Sequence, residues 1–255
     1  MKIATWNVNS IAARLPVVLQ WLKQARPDVL CMQELKCRDE HFPREAFAEL
    51  GYRAEVYGQR TYNGVGIVAR SAITDVERGF PGDEEGSHAR LIAGTVEGVR
   101  IVNVYVPNGQ SVGTDKYRFK LAWLGQLREF LDDDYWTDDE VLLCGDFNVA
   151  PEDRDVHDPR LWRGRILFSQ PEKDALGHVK EWGFTDAFRQ HEPGNDHFSW
   201  WDYRAGSFRQ NTGVRIDHIW VSENLAGRCT NAWIDREPRG WERPSDHTPV
   251  VAEFK

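Results

Sequence analysis

Apolar positions along this chain fall into two rhythms, one of period two and one of period 3.6, that trade places many times. Lys2 to Asn7 alternates, with Ile3, Thr5 and Asn7 on one face and Asn9 following on the same side. Ser10 is a suitable N-cap for a helix over Ile11 to Arg26, where Leu15, Val18, Leu19 and Leu22 share a stripe. Pro16 falls in its first turns and Pro27 ends it. Asp28 to Leu35 reads as a second strand that carries Leu30, Met32 and Glu34 on one face. A short helix fits Arg44 to Leu50, closed by Gly51. Tyr52 to Tyr57 and Val65 to Arg70 read as strands joined through Asn63-Gly64. Arg90 to Val96 and Val99 to Val106 form a hairpin around Glu97-Gly98, with Ile101, Asn103 and Tyr105 on one side. Asp115 to Leu131 returns to helical spacing, with Leu121, Leu124, Leu127 and Leu131 inward.

The run Val141 to Pro151 is the most informative. It is a short apolar strand bounded by acidic residues on one side and Pro on the other. Leu142, Cys144, Asp146 and Asn148 share a face, so an acid and an amide leave a buried strand pointing the same way. Buried polar groups need a partner, a metal or a substrate. Beyond it, Arg154 to Gln170 is a polar loop, and Pro171 to Trp182 is a helix ended by Gly183. Phe198 to Arg204 is an aromatic strand edge, and Ala205 to Gly213 a Gly-bearing loop. Val214 to Val221, Cys229 to Ile234 and Val250 to Phe254 are strands, the last fed by a rigid turn from Pro244 to Pro249. There is no repeat and no low-complexity linker, so residues 1–255 read as one α/β domain.

Composition changes this picture little. Hydrophobic residues make up 41% and charged residues 28%, ordinary for a soluble protein, and no apolar run reaches membrane-spanning length. No signal peptide precedes the first strand, and the four scattered cysteines form no CxxC pair, which points to reduced thiols in a cytoplasmic protein. A net charge of −8 argues against a generally basic nucleic-acid binder. The charge is uneven, however: Arg204, Arg209 and Arg215 lie in a stretch without an acid.

Polar residues gather at strand ends: Asn7, Glu34, Tyr105, Asp146, Asn148, Asp217, Asp246 and His247. Each has a dull reading. Asn7 suits a turn, Glu34 a solvated strand end, and Tyr105 an amphipathic core. Asp217 could pair with Arg215, and His247 between two prolines could be a satisfied structural histidine. The set is harder to dismiss, because strand exits are where open α/β folds collect their sites. Carboxylates and amides without Cys suit a hard cation such as Mg²⁺. Phosphodiester hydrolysis uses such a set: Glu34 for the metal, Asp146 to take a proton from water, and His247, steadied by Asp217, to donate to a phosphate oxygen. No Gly-x-Ser-x-Gly or HExxH motif competes.

Six motifs in order carry a family resemblance: Trp6-Asn7-Val8-Asn9, Gln33-Glu34-Leu35-Lys36, Val104 to Gly109, Gly145 to Pro151, Arg215-Ile216-Asp217-His218 and Ser245-Asp246-His247. Together they resemble the exonuclease III family of apurinic/apyrimidinic endonucleases, in its bacterial branch. Phe198 to Arg204 adds to the likeness. The resemblance implies a four-layered α/β sandwich of two packed mixed β-sheets flanked by helices. It implies a Mg²⁺ enzyme, with Mn²⁺ as a substitute, that hydrolyses the phosphodiester 5′ to abasic sites in duplex DNA. It also implies 3′→5′ exonuclease activity and trimming of blocked 3′ ends, by a monomer away from membranes.

Carried over by position, the resemblance makes Glu34 and Asp246 metal-site acids, with Asn7 beside the metal and Asp146, Asn148 and His247 close enough to share it. Tyr105 and Asn148 match contacts to the scissile phosphate, Asp146 the water-activating or leaving-group acid, and His247 with Asp217 the phosphate-polarising pair. Asn9, where some relatives carry Asp, lowers the charge available for a second metal. An abasic-sugar pocket is implied near Trp200, Val214 and Ile216, and DNA contacts at Arg90, Arg204, Arg209 and Asn211. The aromatic-and-basic mixture from Trp200 to Arg209 suits stacking and phosphate contact, although Trp200 and Trp201 could also be core. DNA affinity is expected to fall with salt. One alternative is a superfamily phosphodiesterase with a lipid or inositol phosphate substrate. Another is a DNA-binding module with a dead site, which the presence of every acid argues against.

Overall fold

The computed structural model describes residues 1–83 and 88–255. Along the chain it forms β1 (Lys2–Asn7), α1 (Ile11–Ala25), β2 (Val29–Gln33), α2 (Arg44–Ala48), β3 (Arg53–Tyr57), β4 (Val65–Ala69), β5 (Thr74–Arg78), β6 (Leu91–Val96), β7 (Val99–Tyr105) and α3 (Asp115–Asp134). There follow β8 (Val141–Asp146), α4 (Pro159–Trp162), α5 (Gln170–Lys180), β9 (Thr185–Asp186), α6 (Ala187–His191), α7 (Ser207–Gln210), β10 (Asp217–Val221), α8 (Glu223–Ala226), β11 (Cys229–Ile234) and β12 (Val250–Phe254).

The strands form two six-stranded sheets, ordered β11-β12-β1-β2-β4-β3 and β5-β6-β7-β8-β10-β9. Each sheet has one parallel pair, β1 with β2 and β7 with β8, crossed over by α1 and α3. The period-two rhythm explains the layering. Ile3, Val29, Cys31, Ile101, Leu142, Cys144 and Ile219 pack between the sheets. The alternate positions Ala4, Leu30, Met32 and Val68 face α1 and α2. Val102, Val104, Leu143 and Trp220 face α3 and α5. The result is the expected four-layered sandwich.

The parallel pairs position the site. Their carboxyl ends come out on one edge, where Asn7, Glu34, Tyr105 and Asp146 lie. Asp217 pairs across from Asp146 at the start of β10. Thr5 pairs with Val250, so the turn ahead of β12 brings Asp246 and His247 to the same edge. Gly145 is held at φ +143°, and a Cβ there would stand 1.9 Å from the Val104 carbonyl oxygen. Only glycine lets β8 pass β7 closely enough to deliver Asp146. Beneath Glu34, Gln33 Nε2 donates to Asn103 Oδ1 at 2.6 Å and to Thr5 Oγ1 at 2.9 Å, a polar link across the two sheets.

Several local expectations change. Phe198 to Arg204 is not a strand: Trp200 makes only isolated bridges, to Val214 and His247. The strand expected over Val214 to Val221 begins at Asp217. The expected loops contain short helices, α4 and α7. In α3, Leu121 is only half-buried, while Trp123, Phe130 and Lys120 are buried. Trp201 is fully buried core. All four cysteines are free, and no helix among the described residues is long and apolar enough to cross a membrane.

Candidate active site

Glu34, Asp146 and His247 present ligand atoms within 4.8 Å of one another. Glu34 sits just past β2 at φ +53°, and Asn148 just past β8 at φ +50°. Left-handed backbone at non-glycine residues is costly, and its concentration at these two exits turns side chains out of the sheets toward one point. Asn7 ties the two acids together. Its Nδ2 donates to Glu34 Oε1 at 2.8 Å and to Asp146 Oδ2 at 2.9 Å. Its Oδ1 is already taken by the Asn9 amide at 2.9 Å. Asn7 therefore lies between the two acids and orients both carboxylates.

Asp146 also accepts from the Asn148 backbone N–H at 2.9 Å and from Asn148 Nδ2 at 3.2 Å. Asn148 Oδ1 is held by Asn108 Nδ2 at 2.9 Å. Asn148 thus faces Asp146 with donors, which fits it to an anion better than to a cation. Burial, with the neighbouring charges of Asp217 and Glu34, pushes the Asp146 carboxyl up to about 7, against the pull of His247 and Asn7. Tyr105 is pushed well above its ordinary value by burial and by Glu34 and Asp146, so its hydroxyl keeps its proton. Arg90 lies over the Tyr105 ring at 4.7 Å and donates to its carbonyl oxygen at 3.1 Å.

His247 Nδ1 lies 2.8 Å from Asp217 Oδ2, and its Nε2 lies 3.8 Å from Asp146 Oδ2. Burial opposes the imidazolium, but Asp217, Asp146 and Asp246 outweigh it and push His247 up to about 10. With Nδ1 turned to Asp217, Nε2 is the ring nitrogen that faces Asp146 and the site. The alternative pairing of Asp217 with Arg215 does not occur. Arg215 turns inward to Asp155 and Asp186 at 2.7 and 2.9 Å.

Asp246 is drawn to one side. Its oxygens accept from Asn9 Nδ2 at 2.9 Å and Trp200 Nε1 at 3.0 Å. Burial opposes its charge, yet His247 and these donors hold its carboxyl below the usual range. Lys36 Nζ bridges Asn9 Oδ1 at 2.6 Å and Glu34 Oε2 at 2.7 Å, so Glu34 and Asp246 are linked through a cation already built into the chain. Glu34, Asp146 and His247 bring ligand atoms close enough to share one ion, and the hard carboxylate oxygens among them fit a divalent cation.

The residues expected to face DNA divide. Val214 and Ile216 are buried in a cluster with Ala150, Val156, Leu167 and Phe168, and Trp200 packs on it. Arg204 and Arg209 are exposed, with Arg204 paired to Asp202 at 2.6 Å. Asn211 is occupied, accepting from Trp201 Nε1 at 3.2 Å and donating to the Asp196 carbonyl at 3.1 Å. A groove of about 520 Å³ opens beside Glu34, Tyr105 and Arg90. Lys36 and Asn108 were not singled out from sequence as site residues. Lys36 has only its place in the Gln33-to-Lys36 motif as a signal, and Asn108 read as a turn.

Comparison with known proteins agrees with this geometry. The Endonuclease/Exonuclease/phosphatase family model matches residues 4–247. The chain is 34% identical to exodeoxyribonuclease III of Haemophilus influenzae over the full length of both. It is 32% identical to an exodeoxyribonuclease of Bacillus subtilis, covering 98% of each. Its fold superposes on an AP endonuclease from Archaeoglobus fulgidus with a TM-score of 0.96 at 38% identity, covering 100% of this chain and 99% of that one. A 3′-5′ exonuclease from Neisseria meningitidis gives a TM-score of 0.96 at 43% identity, with full coverage of both chains. With the motifs in order, the strand exits converged and the match unbroken along its length, the chain belongs to the Endonuclease/Exonuclease/phosphatase family.

Proposed function

We propose that this chain is a DNA repair nuclease that hydrolyses phosphodiesters 5′ to abasic sites in duplex DNA and cleans blocked 3′ ends. It acts as a cytoplasmic, Mg²⁺-dependent monomer, with Mn²⁺ able to replace Mg²⁺. The observation that carries the reading is the convergence of Glu34, Asp146 and His247 within 4.8 Å, with His247 held by Asp217. A bound divalent cation would neutralise the phosphoryl oxygens and ease departure of the leaving oxygen. The protein groups supply the rest. Asp146, titrating near neutrality, accepts the proton of the attacking water. The His247 imidazolium, fixed by Asp217, donates to a phosphate oxygen. Tyr105 and the second Nδ2 hydrogen of Asn108, whose first is held by Asn148, offer further donors where negative charge grows.

The 3′-end activity draws separate support from a solved relative, a 3′ phosphatase from Neisseria bound to a product DNA hairpin, at 42% identity and a TM-score of 0.97. The test is incubation of an abasic duplex and a 3′-phosphate duplex with Mg²⁺, with Mn²⁺ and with EDTA. Incision leaving a 3′-hydroxyl, abolished by EDTA, is the expected result. Intact DNA alongside hydrolysis of an inositol phosphate would move the chain to the phosphodiesterase alternative.

A further inference from the structure

A lysine in the middle of α3 is completely buried. Lys120 is 0% exposed, as is its partner Glu172 at the first turn of α5. The ammonium group does not stop at that ion pair. It also donates to the Asn148 carbonyl oxygen at 2.6 Å and to the Asn108 carbonyl oxygen at 3.2 Å. These carbonyls belong to the two loops that follow the central parallel strands. The side chains of the same two residues bond to each other, Asn108 Nδ2 to Asn148 Oδ1 at 2.9 Å. Asn148 in turn holds Asp146. One cation thus holds the backbone of both asparagines, whose side chains are joined to each other and, through Asn148, to Asp146. Gly109, at φ +84°, lets the turn close on the lysine: a Cβ there would come within 3.1 Å of Lys120 Cδ.

Glu172 carries the connection further. Oε1 accepts from the Leu167 N–H at 3.0 Å, and Oε2 accepts from the Ser169 N–H at 3.0 Å and from Ser169 Oγ at 2.5 Å. Leu167 belongs to the apolar cluster of Val214 and Ile216. The ion pair therefore joins the phosphate-facing loops to the segment lining the DNA-side apolar cluster. Stability alone is a poor reason for such a pair, because apolar residues of similar volume serve a core as well or better.

We propose that Lys120 is a positioning residue for hydrolysis: it holds Asn148 and Asn108 in the geometry their amides need, and acts on the phosphate only through them. This rests on the nuclease reading above. The two variants to compare are Glu172→Gln and the charge-free double Lys120→Met/Glu172→Gln, assayed on an abasic duplex with Mn²⁺. Glu172→Gln leaves the lysine on its two carbonyls and is expected to keep kcat within about 3-fold. The double variant is expected to lose at least ~10-fold in kcat, as misplaced groups near reacting atoms do. Its KM and its Mn²⁺ affinity, read by electron paramagnetic resonance, are expected to stay within about 3-fold, because Asn7 still orients both Glu34 and Asp146.

A double variant as active as Glu172→Gln overturns the proposal. So does a kcat loss matched by weaker Mn²⁺ binding, which would mean general loosening of the site. Should the double variant fail to fold, Gly109→Ala decides. It crowds the lysine stem from outside, and the expected kcat loss is about 3- to 10-fold with KM held. Unchanged kcat there overturns the proposal too. A wild-type chain that leaves abasic DNA whole overturns the nuclease reading and this one with it, whereas wild-type cleavage beside an unimpaired double variant removes this one alone.

Discussion

Two buried polar regions lie side by side on β10 and the loop after β8, and they are wired in opposite ways. In the first, Arg215 bonds Asp155 at 2.7 Å and Asp186 at 2.9 Å, and Arg189 completes the pair with Asp155. His218 Nδ1 accepts from Arg215 at 3.0 Å, and its Nε2 donates to the Val149 carbonyl at 3.1 Å. Two acids meet two arginines, and the histidine is neutral. Burial and the Arg215 charge depress His218 to about 4. Against the cost of burial, the arginines hold Asp155 and Asp186 below the usual carboxylate range. In the second region, Glu34, Asp146, Asp217 and Asp246 gather around Lys36 and His247, with Arg90 behind the Tyr105 ring and Lys120 and Arg239 further out. Four acids meet two directly paired cations, and Asp146 is pushed up to about 7. The same residue types give a closed network in one place and an unbalanced one a few residues away. The imbalance is what a divalent cation and a phosphate can use, and it marks the site more sharply than burial does.

Breaking the closed network has the largest expected effect. Arg215→Met leaves Asp155 and Asp186 buried without their shared cation, and about 3–5 kcal/mol of stability should be lost. Urea unfolding measures it, and a loss under about 1 kcal/mol would mean that Arg189 suffices. The unbalanced region should respond the other way. Glu34→Gln and Asp146→Asn are each expected to cost at least ~10²-fold in kcat on abasic DNA. Neither should lower the melting temperature appreciably in EDTA, because each amide keeps the shape of the acid it replaces and relieves repulsion among the gathered carboxylates. His247→Ala is expected to cost roughly 10- to 10²-fold with the fold kept. Unfolding of that variant would class His247 with His218, as a structural histidine.

How much of this contrast could be read from the sequence depended on which residues carried a rhythm. β1, β2, β7 and β8 were legible because each is an apolar run ending in a polar residue, and those endings brought out Asn7, Glu34, Tyr105 and Asp146. β5 was not, because Thr74–Arg78 is an edge strand of mostly exposed polar residues. Two-residue β9 and five-residue α6 are too short to show a period. The pairings were harder still. Arg215 stands two residues from Asp217, so sequence favoured that pair. A continuous strand would put both on one face, but β10 begins only at Asp217, and ahead of it the chain turns Arg215 inward to Asp155 and Asp186. Lys120 escaped notice because a lysine on an amphipathic helix reads as solvated, and its partner Glu172 is 52 positions away. Long-range polar contacts leave no local trace.

The smallest effect tests the contrast by titration. His218 has a folded value of about 4, below its ordinary 6.5. Its contribution is complete above 6.5 and is lost as pH falls toward 4, because the unfolded chain takes up the proton first. Asp146 has a folded value of about 7, above its ordinary 3.8. Its contribution is complete below 3.8 and is lost as pH rises through 7. Between about pH 4 and 6.5 the two regions therefore pull stability in opposite directions. Urea midpoints in EDTA at several pH values across that window read the balance. His218→Gln should remove the acid-side loss and tilt the profile toward higher stability at low pH. Asp146→Asn should tilt it toward higher stability at neutral pH. The difference in slope should amount to a few kcal/mol at most across the window. If both substitutions tilt the profile the same way, the two regions are not electrostatic opposites, and the excess of acids at the strand exits is satisfied within the protein itself.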